Sequence, residues 1–261
     1  WVYIDWADMD KDGPLCAEQM LYAACFRVMA EISEQLGKDG SAYRQEYGKL
    51  TAAIEKFFWD EEKGAYIDSF TSGKRNVTRH ANIFAILFDI ADKQKQEKIL
   101  KNVLENDEIP AITTPYFNFF ELDVLCQMGK LTEVLDKIRF YWGGMLDLGA
   151  VTFWEEYDPS VPKEEQYDMY GDHFGKSLCH AWAASPIYFL AKYFAGLDLV
   201  NKDGVTYVLK PQMQYFTDLD CTLPVGSDGT VRLAWDGECL EVTADAEGGI
   251  LELGEEKISL V

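Results

Sequence analysis

Two segments of this sequence set carboxylates directly beside aromatic rings. One is Asp5-Trp6, near the start of the chain. The other is Gly149-Ala150-Val151-Thr152-Phe153-Trp154-Glu155-Glu156-Tyr157-Asp158, where acids and rings are interleaved. A carboxylate next to Trp or Phe loses part of its hydration, which moves its pKa up toward the range useful for proton transfer. The same residues admit a plainer reading. Glu155 and Glu156 would then be a solvated pair on an acidic surface, and Asp5 a helix cap beside a core Trp. His180, beside Cys179 and Trp182, and His80, in Arg79-His80-Ala81-Asn82, would be hydrogen-bonded structural residues. His173 receives no role.

Other chemistries lack their residues. Three scattered His with no H-x-x-x-H spacing, and six Cys with no C-x-x-C pair, predict no metal site. No G-x-S-x-G elbow, P-loop or dinucleotide fingerprint is present, so no cofactor is expected. Carboxylate acid–base catalysis on a neutral substrate remains, which points to glycoside hydrolysis.

Composition agrees with a neutral substrate. The 261 residues carry 24 Lys+Arg against 45 Asp+Glu, a net charge of −21. That balance disfavours nucleic acid and anionic membrane surfaces, both of which need cationic partners. A hydrophobic content of 48% excludes disorder, and 7 Trp with 14 Tyr suit ring-shaped ligands. No apolar run approaches the ~20 residues that span a bilayer. Most cysteines lie among apolar neighbours at helical spacing and read as buried free thiols. This favours a reducing compartment without deciding between cytoplasm and periplasm. The chain opens on Trp1 with no charged segment before an apolar stretch, so it reads as processed or as a piece of something longer.

The elements that would position these residues are helices in pairs. Leu21, Cys25, Val28, Ile32 and Leu36 repeat at helical spacing after Pro14, and Gly37 stops the run. Tyr43, Tyr47, Leu50, Ile54 and Phe57 continue the period, and Ala65–Phe70 reads as a short extended segment. Apolar Thr78–Ile90 is followed by polar Lys93–Leu104, and apolar Pro115–Met128 by amphipathic Leu131–Tyr141. Ser177–Ala195 is the last helix. Alternation of apolar and amphipathic helices is what a two-layer helical toroid requires. Gly143–Lys176 has no periodicity, and a loop of that length in a compact domain is usually functional. After about residue 200 short Thr- and Val-rich runs take over, with Asp236-Gly237 as a hairpin signal. The expected organisation is residues 1–200 as a helical domain and 201–261 as a small antiparallel β-sandwich, linked near Asn201–Gly204.

Several stretches, in order, resemble the family 78 glycoside hydrolases, the α-L-rhamnosidases. They are Asp5-Trp6 ahead of a long helix, His80-Ala81-Asn82, Thr114-Pro115-Tyr116-Phe117, Gly149-Ala150-Val151-Thr152-Phe153-Trp154-Glu155, and Ser177-Leu178-Cys179-His180-Ala181-Trp182 with Pro186. Val151 stands where the family's motif has Thr. The resemblance implies an (α/α) toroid of six hairpins followed by a β-domain. Against about seven helices here, that makes the chain the C-terminal portion of such a toroid, with an upstream part of the same polypeptide expected to complete the barrel. The family's general acid lies in a Cys-Pro-x-Arg-x-Glu-Arg loop that no segment of this chain matches.

The resemblance further implies an inverting hydrolysis of terminal α-L-rhamnosides with Glu155 as general base. Trp6 would stack on the sugar, Asp5 and Trp154 would line its site, and His180 would hydrogen-bond the sugar or orient the base. The partner is then a rhamnose-containing glycoside or polysaccharide. Two alternatives stay open on the residues alone. One is a carbohydrate-binding relative without a working acid. The other is a different toroid glycosidase or a phosphorylase, although the loops are too acidic for a phosphate pocket.

Overall fold

The computed structural model describes residues 3–202 and 205–260, apart from the side chains of Asn201 and Lys202. The chain divides into two compact units, residues 1–127 with 154–177, and residues 128–153 with 178–261.

In the first unit α1 (Cys16–Gln35) and α2 (Ser41–Phe58) form a hairpin, closed by Gly37 in the left-handed region, φ +69°. A two-residue ladder of β1 (Trp59–Asp60) and β2 (Ala65–Tyr66) leads to α3 (Arg79–Leu87). Then come α4 (Lys93–Ile99), running on as a π-helical turn to Leu104, and α5 (Pro115–Gln127). Helix α3 packs on both α1 and α5. Its residues 79–86 are all buried, and nine residues of α5 are too. Of α2 only Ile54 and Phe58 are buried. This is the inner and outer alternation expected from the sequence: helices apolar all round lie inside, amphipathic ones outside.

One helix turns the other way from the sequence reading. The repeat Leu21, Val28, Ile32 and Leu36 on α1 lies on the exposed side, with Leu36 66% accessible, and Cys25 is exposed with it. The buried face is Cys16, Ala17, Met20, Ala23, Ala24 and Ala30. Small side chains let helix axes approach closely, so the alanine stripe, not the leucine stripe, meets the neighbours. The cysteines are all free, but only Cys16 and Cys126 are buried, while Cys25, Cys179 and Cys239 are exposed.

The second unit contains α6 (Leu131–Asp147), six residues longer than its periodicity suggested, and α7 (Ser185–Phe189), continued by a π-helical turn to Phe194. The expected helix from Ser177 starts only at Ser185. Pro186 sits in its first turn, where its missing N–H costs nothing, and disfavours helical backbone before it. Trp142 Nε1 donates to the Ala183 carbonyl at 2.8 Å and fixes α6 to the turn ahead of α7. A cavity of about 410 Å³ lies along α6, lined mainly by Trp142, Met145, Leu146, Val151 and Phe153.

Seven strands follow. β3 (Leu197–Lys202), β4 (Val205–Leu209), β8 (Gly249–Leu253) and β9 (Glu256–Leu260) form one sheet, in the order β3-β4-β8-β9. β5 (Leu219–Val225), β6 (Gly229–Trp235) and β7 (Leu240–Ala244) form the other. Tyr207, Leu209 and Leu251 from the first sheet share a core with Leu223, Val225, Val231 and Leu233 from the second. The sandwich has one departure from antiparallel pairing, since β4 runs parallel to β8. Asp236-Gly237 does close the β6–β7 hairpin. Gly237 takes φ +97°, and Asp236 Oδ1 accepts the amides of Glu238 and Cys239. The expected link at Asn201–Gly204 includes residues 203 and 204, which lie outside the described residues. Among the described residues no helix is long and apolar enough to cross a membrane.

Candidate active site

Asp5 is the anchor of the first unit's polar centre. It is 2% exposed, and both its oxygens are engaged. Oδ1 accepts the Trp6 amide at 2.9 Å and the Thr114 hydroxyl at 2.7 Å, while Oδ2 faces His80 Nε2 at 2.9 Å. Thr114 also accepts the Phe117 amide, which caps α5 ahead of Pro115. His80 lies in the first turn of α3. The carboxylate thus sits where two inner helices present their N-terminal ends, and the positive end of a helix dipole favours an anion there.

The network continues inward. His80 Nδ1 faces Thr78 Oγ1 at 3.3 Å, and Thr78 donates to Asp68 Oδ1 at 2.7 Å. Asp68 Oδ2 accepts from the Asn76 side chain and the Asp10 amide. Burial holds the Asp68 carboxyl above the usual carboxylate range although these donors pull it down. A second buried pair fixes the loop that carries Thr114. Arg79 Nη1 meets Glu121 Oε1 at 2.5 Å and donates to the Leu104 carbonyl, with side chains 5% and 1% exposed. Asp5 is therefore a buried hub whose carboxylate accepts, and so orients, the amide of the next residue, Trp6.

Glu155 is held by a different device. It is 8% exposed, its amide donates to the Ser177 carbonyl at 2.9 Å, and Ser177 returns its own amide to Glu155 Oε2 at 2.9 Å. Two loop segments, around Glu155 and Ser177, are thereby joined by both hydrogen bonds. On the neighbouring rung Lys176 Nζ lies 3.8 Å from Glu156 Oε2, with side chains 4% and 27% exposed. Burial pushes the Glu156 carboxyl up, against the pull of Lys176. Burial likewise pushes the Lys176 ammonium down, against Glu156, Asp158 and Glu155. Trp154 is 3% exposed and meets the Tyr167 ring edge-on, 5.5 Å between centroids.

Around these groups stand phenols. Burial pushes Tyr3 up to about 12, with the charges of Asp5 and Glu155 and the nearby Tyr116 and Tyr170 adding to the effect. Asp5 and Glu155 therefore act on one phenol, although 150 residues separate them in sequence. Burial, with Asp5, also raises Tyr116. Trp6 is half-buried, with its ring perpendicular to Tyr170 at 6.3 Å. Tyr170 has φ +55°, a left-handed backbone that costs a non-glycine residue about 1–2 kcal/mol.

Of the residues singled out from sequence, Asp5, Trp6, Trp154 and Glu155 fall in the first unit, and Asp5 and Glu155 share the environment of Tyr3. His180 belongs to the second unit. There its amide donates to the Phe153 carbonyl at 2.8 Å, and its half-buried ring lies 4.5 Å from Trp182. Sequence reading missed Tyr3, Tyr170 and Lys176. Tyr170-Gly171 carries a turn signal, but Lys176 has none, because its burial is decided by what folds over it.

The description of the family model matching residues 1–194 is the bacterial α-L-rhamnosidase six-hairpin glycosidase domain. No curated protein matches the chain. Among solved structures, the family 78 rhamnosidase of Bacillus sp. GL1 superposes with a TM-score of 0.82 at 24% identity over 98% of this chain. A Klebsiella oxytoca rhamnosidase with rhamnose bound gives 0.63 at 31% identity over 74%. A Streptomyces avermitilis α-L-rhamnosidase complexed with L-rhamnose gives 0.68 at 16% identity over 95%. The chain spans 28%, 36% and 24% of those proteins' lengths, respectively. With the inner and outer helices, the terminal β-sandwich and a model match over three quarters of its length, the chain belongs to the bacterial α-L-rhamnosidase six-hairpin glycosidase family.

Proposed function

We propose that this chain supplies the general base and the sugar platform for inverting hydrolysis of terminal α-L-rhamnosides. The observation that carries the reading is the buried Glu155 carboxylate, fixed by the Ser177 amide within the same unit as Trp6 and its phenol surround. A base must hold its oxygen at a fixed position to orient water, and a backbone amide returned from a paired segment does that. Water attacks the anomeric carbon and Glu155 takes its proton. The bond to the leaving oxygen breaks as a general acid, on a segment outside these residues, protonates it. Trp6, oriented through its amide by Asp5, stacks on the sugar. Trp154 and His180 keep, from their motifs alone, the roles the resemblance implies: lining the sugar site, and hydrogen-bonding the sugar or orienting the base. The domain boundary stays at 200/201, a proposal supported by the predominance of strands beyond it, interrupted by a short 3-10 turn at Met213–Tyr215.

An inverting enzyme keeps its two carboxyls about 6.5–9.5 Å apart so that water fits, and a retaining one about 5–5.5 Å. The expected first product from an α-rhamnoside is therefore the β-anomer. NMR in the first minutes of reaction, before mutarotation, tests this in the polypeptide that carries these residues together with the acid segment. An initial α-anomer, or a glycosyl group trapped on Glu155, overturns the role given to Glu155.

A further inference from the structure

Tyr170 is the one large aromatic residue among the described residues that adopts a left-handed backbone conformation. Its neighbour Gly171 has φ +82°, and Met169 and Asp172 exchange both backbone hydrogen bonds, at 2.9 and 3.0 Å. Residues 169–172 are therefore a two-residue hairpin whose first central position normally takes Asn, Asp or Gly. The turn is held from several sides. Gly175 lies so close beneath it that an added Cβ would stand 2.2 Å from the Met169 carbonyl. His173 Nδ1 pairs with Asp168 at 2.5 Å, and the Lys176 amide donates to the Tyr167 carbonyl.

Burial does not compensate this strain, because Tyr170 is 80% exposed. Strained residues held by a firmly determined loop cluster at ligand clamps and active sites. What lies nearby is the site itself: the Trp6 ring at 6.3 Å, and Tyr3, which feels Tyr170, Glu155 and Asp5 together.

We propose that Tyr170 is the platform of a leaving-group subsite, taking a six-membered ring with an apolar face on the far side of the scissile bond. The planes of Trp6 and Tyr170 stand at 89°. One flat ring cannot lie on both faces, so a sugar stacked on Trp6 leaves the Tyr170 face for a second ring. A glycoside joins two such rings through a single oxygen, and the two are free to turn relative to each other. The ring can be a second pyranose or an aryl group, since both present a flat C–H or π face to a phenol ring. This inference rests on the reading of Trp6 and Glu155 given above.

The test compares methyl α-L-rhamnoside, nitrophenyl α-L-rhamnoside and a rhamnosyl-glucose disaccharide, using the polypeptide that carries these residues in its full length. Tyr170→Asn removes the ring and suits the turn. It is expected to raise the melting temperature while lowering kcat/KM for ring-bearing leaving groups, relative to the methyl glycoside, by roughly 3–10-fold. Tyr170→Phe keeps the ratio. Loss confined to the nitrophenyl or to the disaccharide substrate identifies which ring the subsite takes. An unchanged ratio in Tyr170→Asn, or an equal loss on all three glycosides, overturns the subsite.

The same ratio, read as Kd in a Glu155→Gln background, is independent of turnover. A parent protein that hydrolyses none of the glycosides sinks the hydrolytic reading. The Kd ratio alone then decides the subsite, standing if Tyr170→Asn raises Kd for the ring-bearing glycosides relative to the methyl glycoside and falling if it does not.

Discussion

The two carboxylates at the centre of the first unit are buried to similar depth but held in opposite ways. Asp5 is gripped by side chains, His80 and Thr114, that stand at the starts of two inner helices, and it is tied onward to Asp68 through Thr78. Glu155 is gripped by a backbone amide from a loop, and that loop contains a strained turn and a half-covered ion pair. The first arrangement has every oxygen committed and is a frame. The second rests on a backbone hydrogen bond between two loop segments. On the proposed reading, rigidity lies under Trp6 and the general base sits on a loop.

The sharpest contrast is expected at Glu155. Glu155→Gln keeps the shape and loses the proposed base, so turnover should fall roughly 10²–10⁴-fold with little change in melting temperature. Glu156→Gln should cost much less. Steady-state kinetics with thermal melts of both variants decide the matter, and a larger loss for Glu156→Gln shifts the role by one residue. Next comes the frame. His80→Ala leaves Asp5 Oδ2 facing a cavity and should lower stability by about 3 kcal/mol. Denaturant titration reads this, and if His80→Ala is tolerated while Glu155→Gln unfolds the protein, the division between frame and loop is wrong.

The smallest effect is expected at Lys176→Met, within about 1 kcal/mol, because burial disfavours the Lys176 ammonium while Glu156 favours it and the two partly cancel. Its sign depends on pH. Burial raises the Glu156 carboxyl above its unfolded value, so the contribution of that group is fully present below an unfolded pKa of about 4.3 and is lost as pH rises through the folded value. Lys176 opposes the rise, so removing it lifts the folded value further. The variant should therefore lose stability relative to the parent as pH rises from about 4 toward neutrality. A stability profile for Lys176→Met that is flat across this interval would show that the pair does not brace the loop.

Much of the helical layout was legible from sequence, because the signals involved act over a few residues. The Gly37 stop, the Thr114-Pro115 helix start and the Asp236-Gly237 turn are matters of local sterics and one or two hydrogen bonds. The Trp-Glu and Asp-Trp pairs were visible for the same reason, as adjacent residue types. What tertiary structure alone decided was partnership and facing. Asp5 meets His80 and Thr114, 75 and 109 positions away, and a string of letters does not say which distant donors will claim its oxygens. Two stripes on α1 are both periodic, and only the approach of its neighbours selects the alanines for burial. Ser177 does not start a helix, because its amide goes to Glu155 and Pro186 sets the start eight residues later. The parallel pairing of β4 with β8, the burial of Lys176 and the perpendicular setting of Tyr170 against Trp6 are of the same kind. Each is fixed by the gain of burying surface and satisfying polar groups across the fold, a balance in which local preference contributes only a small share.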